Sequence, residues 1–474
     1  MDIDDFRQWS HRASDWTADY YAGLKGRPVR AQTRPGDIAA EIPDSPPESA
    51  ESMERIFADF ERIIPDGMTH WQHPRFFAYF PSNASRASVI AEQLAGAMAA
   101  QCMLWQTSPA GTELEVKMVD WLRQGVGLPE AFHGVLQDTA SSATLCAVLT
   151  MRERALDWRG NTHGLSGEPR LRIYASSRTH SSIDKALWVA GIGQDNLVKI
   201  ETDERFAMRA DLLRAAIAAD RAAGLVPAGI VGCVGGTSIG ATDDMQAVAD
   251  VAEAEDLYLH VDAAWAGSAM VCPELRTLWA GAERADSIVF NPHKWLGVPM
   301  ECSAHFVRNP ETLVRTLAIQ PEYLKTYGHD GIINFSEWSV QLGRRFRALK
   351  VWFLLRCYGL DGLRAMIRQH IAWAQKLAAR LAREPDFEIV TDPILSLFTF
   401  RYRPPGFDGD LDALNLALVN RLNDDGTIYL TQTSHDGMLV IRFMTGQFDM
   451  TEDDVDVAFD AICATARRLE ESSD

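Results

Sequence analysis

The feature that most constrains the fold is an alternation of short apolar runs with helix-forming stretches between about residues 76 and 345. Runs with the length of buried strands lie at 171–176, 230–234, 258–261 and 287–291. Stretches with the helical spacing of apolar residues separate them at 182–190, 209–223 and 243–254. This alternation predicts an α/β fold with a mostly parallel central sheet.

The two flanks have different patterns. Helices predicted at 4–23 and 49–64 form an arm without a core of its own, which has to pack on another surface such as a second subunit. The C-terminal part begins with a helix at 347–382 and ends with one at 451–471. Strand-like runs lie between them, at 387–390, 395–401, 427–431 and 438–443. We therefore predict an N-terminal arm (1–75), a large domain (76–345) and a small α+β domain (346–474).

Charge and cysteine content exclude several functions. The net charge of −19 disfavours binding to nucleic acid or to an anionic membrane. Seven scattered cysteines include no C-x-x-C pair, so we expect no zinc site and no redox dithiol, and reduced thiols fit a cytoplasmic protein. The uncharged run 93–112 contains glutamines and Ser108, and we expect a buried helix and loop there, not a membrane span.

The most informative run is Asn-Pro-His-Lys-Trp at 291–295. It follows an apolar strand, which places Lys294 at the end of that strand. A lysine in an apolar setting loses its proton readily and becomes the amine nucleophile that an aldehyde cofactor requires. Taken alone, Lys294 fits an ordinary surface lysine better.

Asp262 ends another apolar run, so it is expected at the same sheet edge as Lys294. A buried carboxylate needs a cationic partner, and the protonated pyridine nitrogen of pyridoxal 5′-phosphate (PLP) is one. This pairing keeps the ring an electron sink. The alternative is that Asp262 caps a helix.

Three further segments lie at predicted strand ends. Small hydroxylated residues at 139–144 open a helix and could bind a phosphate, or Thr139 or Ser141 could simply cap that helix. His180 could stack on a flat ring, or it could be a solvated loop residue. The loop 235–238 is either a pocket wall or a tight turn.

Taken together, these segments resemble the group II PLP-dependent decarboxylases, specifically the aromatic-L-amino-acid decarboxylase family. The resemblance covers nearly the whole chain and is strongest in the runs HPRFFAYFP (73–81), SPAGTELE (108–115), LHVDAAWAGSA (259–269), NPHKW (291–295) and LGRRFR (342–347). It implies the fold type I architecture of aspartate aminotransferase and an obligate homodimer with its active sites at the subunit interface.

The resemblance also implies roles for single residues. Lys294 would be the Schiff-base lysine and Asp262 the partner of the pyridine nitrogen. The cofactor pocket would further include the phosphate ligands Ala140, Ser141 and Asn291, the stacking His180, and Thr237, Ala264 and His293. His293 would also lie near the substrate, whose aromatic wall would be Trp71, Tyr79, Phe80, Pro81 and Ser82.

Two more positions bear on the reaction. The segment 321–331 resembles the mobile catalytic loop of the family, and Tyr323 matches the tyrosine that returns a proton to the substrate carbon; the alternative is a core tyrosine. Gly343 falls where plant relatives acting on indoles carry glycine and those acting on phenols often carry serine. Its missing side chain favours tolerance of tryptophan, with phenylalanine, tyrosine and DOPA still possible.

The sequence thus predicts PLP-dependent decarboxylation of an aromatic L-amino acid to the amine and CO2. An aromatic aldehyde synthase is one alternative, and Tyr323 and His180 argue against it. Transamination or glutamate decarboxylation is a second, and the aromatic wall at 76–81 argues against it. A non-catalytic scaffold is a third, which the full set of cofactor-contacting residue types disfavours.

Overall fold

The computed structural model describes residues 1–319 and 331–471. The chain packs as two compact units. One contains Met1–Pro81, Gln375–Asp392 and the chain from Thr399 onward, and the other contains Ser82–Ala374 and Pro393–Phe398. The N-terminal arm and most of the C-terminal part thus share one unit, whereas the three-domain division of the sequence stays a prediction.

The larger unit is built on a seven-stranded sheet. Its strands are β1 (His133–Gln137), β2 (Leu171–Ser176), β3 (Leu197–Ile200), β4 (Val226–Cys233), β5 (Tyr258–Asp262), β6 (Ser287–Phe290) and β7 (Ser303–Val307). They are arranged in the order β1-β7-β6-β5-β4-β2-β3. Only β7 runs against its neighbours, β1 and β6, so β1 to β6 all point the same way. The mostly parallel central sheet is confirmed.

The described helices are α1 (Ile3–Gly23), α2 (Asp37–Ala40), α3 (Met53–Ile63), α4 (Arg86–Met98), α5 (Pro109–Val126), α6 (Ala140–Ala155), α7 (Arg159–His163), α8 (Ser182–Val189), α9 (Ala210–Ala222), α10 (Met245–Ala254), α11 (Pro292–Trp295), α12 (Pro310–Leu317), α13 (Arg347–Leu381), α14 (Leu411–Asp425) and α15 (Glu452–Glu471). Within α13, Gly359 leaves helical geometry, with φ of 62° and ψ of 170°. None of these helices is long and apolar enough to cross a membrane.

Burial of apolar side chains holds the sheet and its helices together. Val148 and Met151 of α6 are fully buried with Ile173 of β2, Val231 of β4 and Leu187 of α8 in one cluster. Burial of such side chains is the main favourable contribution to folding. Because β1, β2, β4, β5 and β6 are parallel, the loops after them meet at one edge of the sheet, where α/β folds bind ligands.

The smaller unit contains the arm and most of a second sheet. Strands β8 (Phe387–Ile394), β9 (Leu397–Tyr402), β10 (Thr431–His435) and β11 (Met438–Met444) lie in the order β10-β11-β9-β8. In the arm, α1 and α3 pack through aromatic pairs such as Trp16 and Phe60, whose ring centroids are 4.8 Å apart.

Two expectations about local structure are wrong. The strand expected at 427–431 is largely displaced to β10, because Tyr429 forms an isolated bridge with Phe76 and bonds to the backbone of 75–77 instead. The uncharged run 93–112 is not wholly buried. Cys102 and Leu104 are buried, but Leu94 and Met98 on α4 are 48% and 56% exposed.

Candidate active site

Lys294 lies at the carboxyl edge of the central sheet. It belongs to the short helix α11, which begins directly after β6 with Asn291 as N-cap and Pro292 in its first turn. The proline suits a first turn because its missing N–H is not needed there. The Lys294 N–H donates to the Asn291 carbonyl at 2.9 Å, and the residue is half-buried. The predicted strand-end position of this lysine agrees with the structure.

Asp262 is the last residue of β5 and is 7% exposed. Its Oδ1 accepts the Ala264 N–H at 3.0 Å, and no ion pair to it occurs among residues 1–319 and 331–471. The loop after β5 is joined to the loop after β6, since the Asn291 N–H donates to the Ala264 carbonyl at 2.9 Å. A buried carboxylate with one backbone donor fits a cationic ligand such as a protonated pyridine.

Both Lys294 and Asp262 influence the pKa of the His180 imidazole. Burial lowers its pKa, the Asp262 carboxylate opposes that shift, and the Lys294 ammonium adds to it. Its Nδ1 accepts the Ser182 N–H at 3.1 Å, so the neutral ring carries its proton on Nε2. His180 is therefore a neutral, flat ring within electrostatic reach of Lys294 and Asp262.

His293 is also held neutral. It is 4% exposed, and burial, followed by the charge of Lys294, lowers its pKa to about 3. Its Nδ1 accepts the Cys302 N–H at 3.0 Å, which leaves the proton on Nε2.

The start of α6 offers hydrogen-bond donors at the end of β1. Thr139 is the N-cap, but neither its side chain nor that of Ser141 caps the helix. The plain capping alternative is therefore wrong, and the first backbone N–H groups, from Ala140 onward, suit a phosphate. Asn291 adds a side chain. Its Oδ1 accepts the Ser303 hydroxyl at 2.5 Å, which leaves its Nδ2 group as a donor.

The loop after β4 is tied to the same edge. The Val234 N–H donates to the Asp262 carbonyl at 2.9 Å, and the Gly236 N–H donates to the Ala241 carbonyl at 2.7 Å. Gly235 has a φ of +77°, and a Cβ there would lie 2.5 Å from the Ala266 Cβ, so a glycine is required. These contacts hold the half-buried Thr237 next to the strand ends.

Two buried pairs of side chains support this edge, and the sequence did not indicate either pairing. Trp265 and Trp295 stack with ring centroids 5.1 Å apart, and the Trp295 Nε1–H donates to His370 Nδ1 at 3.0 Å. Both tryptophans lie in the runs that carry the family resemblance, but no pattern indicated that they touch.

The second pair is Glu115 and Arg344, whose side chains are each 1% exposed and 2.7 Å apart. Glu115 Oε1 accepts the Leu136 N–H at 2.8 Å, and Arg344 Nη2 donates to the Leu136 carbonyl at 2.7 Å. The pair therefore holds β1 just before the start of α6. Gly343, directly before Arg344, is exposed.

The predicted substrate wall lies mostly in the smaller unit. Trp71 and Tyr79 stack at 5.5 Å and are 38% and 45% exposed. Tyr429, which the sequence did not suggest, joins them with its ring 6.2 Å from that of Tyr79. Phe80 and Pro81 are buried instead, with the Arg442 guanidinium 5.5 Å from the Phe80 ring. Ser82 is half-buried in the larger unit.

The structure thus gathers nine of the predicted residues at one sheet edge of the larger unit: Lys294, Asp262, His180, His293, Asn291, Ala264, Thr237, Ala140 and Ser141. Tyr323 lies outside the described residues. In the part of the chain that the structure describes, no cluster of three or more side chains could hold a metal ion. The amine, the buried carboxylate and the helix start fit PLP.

Comparisons with known proteins agree with this chemistry. The family profile described as the pyridoxal-dependent decarboxylase conserved domain matches residues 35–403. The aromatic-L-amino-acid decarboxylase of Sus scrofa is 40% identical over 99% of this chain and 98% of its own length. The crystal structure of Oryza sativa TDC with PLP and tryptamine has a TM-score of 0.95 at 36% identity, covering 99% of both chains. That of Rhodiola rosea 4-hydroxyphenylacetaldehyde synthase has a TM-score of 0.91 at 33% identity, also over 99% of both chains.

Proposed function

The chain belongs to the pyridoxal-dependent decarboxylases, and on that premise we propose that it removes CO2 from an aromatic L-amino acid and releases the amine. The predicted family, fold type, cofactor and enzyme class are confirmed. The observation that carries the proposal is the buried carboxylate of Asp262, which lies beside the strand end that bears Lys294.

Bound PLP supplies an electron sink for the charge left on Cα when CO2 departs. We assign the residues around it as follows. Lys294 would hold the aldehyde, and Asp262 would keep the ring nitrogen protonated. The N–H groups at the start of α6 and the Asn291 amide would bind the phosphate. His180, being neutral, would pack against the ring without adding a charge that competes with the ring nitrogen.

Protonation of Cα is assigned to Tyr323 on the family resemblance. His293 has a neutral Nε2–H and adjoins Lys294 in the chain, which suits a donor to the substrate carboxylate. The exposed faces of Trp71 and Tyr79 suit the aromatic side chain of the substrate.

The experiment is a substrate panel. Protein loaded with PLP is incubated with tryptophan, tyrosine, phenylalanine, DOPA or glutamate, and CO2 and amine are measured. We expect amine from at least one aromatic substrate and none from Lys294→Ala. The matched control is Lys117→Ala, which removes an exposed lysine on α5 and should leave the rate unchanged. Release of CO2 from glutamate alone would overturn the proposal.

The same panel separates decarboxylation from aldehyde synthesis. With Tyr323 in place, amine should exceed aldehyde, whereas Tyr323→Phe should lower the amine and raise aldehyde and peroxide. An unchanged product ratio would remove Tyr323 from the mechanism.

We also propose that the chain forms a homodimer. Ile90, Leu94 and Met98 recur every four residues along α4 and are 52%, 48% and 56% exposed, which is an apolar stripe that a second subunit would cover. Analytical ultracentrifugation should show a dimer, and Leu94→Glu should shift it toward monomer. Leu416→Glu, on α14, is the control, and a monomeric wild-type protein would contradict the proposal.

The cytoplasmic location stays a prediction.

A further inference from the structure

The side-chain amide of Gln101 lies beside Gly343, the residue predicted to contact the ring of the substrate. A Cβ built on Gly343 would be 3.2 Å from Gln101 Nε2, and no other atom of residues 1–319 and 331–471 lies within 4 Å of it, apart from the adjoining residues of the chain. The space left by the missing side chain is therefore bordered by a polar group.

Two hydrogen bonds hold Gln101 in this place. Its Oε1 accepts the Arg344 N–H at 2.7 Å, and the N–H of the next residue, Cys102, donates to the Arg344 carbonyl at 2.9 Å. Arg344 is itself anchored by its buried ion pair with Glu115. Because the acceptor end of the amide is bound in this way, the donor end is the one that faces Gly343.

The donor end is available to a ligand. Gln101 is exposed, and within the described parts of the chain its Nε2 donates to no protein group. An amide N–H that is not already donating can bind an oxygen acceptor of a ligand. In an aromatic amino acid, the acceptor at the far end of the side chain is a ring hydroxyl.

We infer that Gln101 is a specificity-determining residue, which donates a hydrogen bond to a hydroxyl on the aromatic ring of the substrate. The substrate class is then a hydroxylated aromatic L-amino acid. This inference rests on the proposed function, because it takes Gly343 as part of the substrate site. Gly343 alone favours tolerance of tryptophan. The polar side chain beside it instead favours a substrate with an oxygen on the ring, because a hydrogen-bond donor stabilises a ring hydroxyl more than it stabilises a larger apolar ring.

The test compares substrates that differ by one hydroxyl: tyrosine against phenylalanine, and 5-hydroxytryptophan against tryptophan. The value of kcat/KM is measured for each in wild type, Gln101→Leu and Gln101→Met. Both variants keep the approximate length of the side chain and lose the donor. The ratio of hydroxylated to unsubstituted substrate should fall about 2- to 10-fold, the factor that one neutral hydrogen bond contributes.

Gln106→Leu, an exposed glutamine of the same loop, is the matched control and should leave both ratios unchanged. If both Gln101 variants turn over substrate with the wild-type ratios, the inference is wrong and the proposed function stands. If the wild-type protein releases no CO2 from any of the four amino acids, the proposed function fails and the inference fails with it.

Discussion

Trp265 and Trp295 stack with their ring planes 20° apart, and each is fully buried. Trp265 comes three residues after Asp262, and Trp295 comes directly after Lys294. One aromatic contact therefore joins the chain segments that carry the carboxylate and the amine of the proposed cofactor site. Rigid support of this kind is what a preorganised site requires.

Removing this contact should weaken the fold and the site together. Trp295→Ala deletes a buried indole and its hydrogen bond to His370, so the free energy of unfolding should fall by about 3–5 kcal/mol. Trp295→Phe keeps a ring and should cost less. Urea denaturation gives the stability, and dialysis followed by cofactor assay gives PLP retention. Wild-type stability in Trp295→Ala would contradict this role.

Asp262→Asn should lower kcat about 100- to 1000-fold, the scale found when one electrostatic contact to a transition state is removed. The amide cannot keep the ring nitrogen protonated, although it can still accept the Ala264 N–H. The matched control is Asp286→Asn, directly before β6, where Asp286 Oδ2 accepts the Leu259 N–H at the opposite edge of the sheet. Equal loss of activity in both variants would show that the effect is not specific to the site.

Acid should destabilise the protein through His305. This residue is fully buried, neither of its ring nitrogens has a hydrogen-bond partner among the described residues, and burial lowers its pKa to about 4. Since the unfolded chain takes up the proton near pH 6.5 and the folded chain does not, stability falls as pH drops from there to about 4. The expected slope from this group is about 1.4 kcal/mol per pH unit.

His305→Leu tests that slope. It removes the buried polar atoms, so the variant should be at least as stable as wild type at pH 7 and should lose less stability between pH 6 and pH 5. Chemical denaturation at each pH gives the comparison. Parallel pH profiles for the two proteins would exclude His305 as the cause.

The ion pair of Glu115 and Arg344 should be costly to break. Glu115→Gln leaves the Arg344 charge buried without its partner, which costs about 3–5 kcal/mol. The double variant Glu115→Leu with Arg344→Met should recover part of that loss, because neither charge remains. For comparison, Asp211→Asn breaks the exposed pair with Arg209 and should leave the stability nearly unchanged, because solvent screens both charges. Additive losses in the double variant would contradict the coupling.

Much of the larger unit could be predicted because its strands and helices are indicated by residues close together in the sequence. The predicted strand at 171–176 has the same bounds as β2. The predicted helix at 182–190 is one residue longer than α8 at its C-terminal end, and the one at 209–223 is one residue longer than α9 at each end. Apolar periodicity and strand-end motifs lie within short windows of sequence. A parallel sheet places the carboxyl ends of its strands at one edge, so the residues at those ends are expected to lie near one another.

The rest depends on contacts between distant segments. Glu115 and Arg344 are far apart in sequence, and no local pattern indicates that they form an ion pair around the backbone of Leu136. Gln101 is an ordinary loop glutamine until the fold brings it to Gly343. The strand expected at 427–431 was displaced for the same reason, since Tyr429 pairs with the segment after Arg75.

The central claim is tested most directly by locating the covalent attachment of the cofactor. Protein loaded with PLP is reduced with borohydride, digested and analysed by peptide mass spectrometry. The account predicts a reduced pyridoxyl phosphate group on Lys294 in the wild-type protein and its absence from Lys294→Ala. Attachment to a different lysine, or no attachment in the wild-type protein, would contradict it.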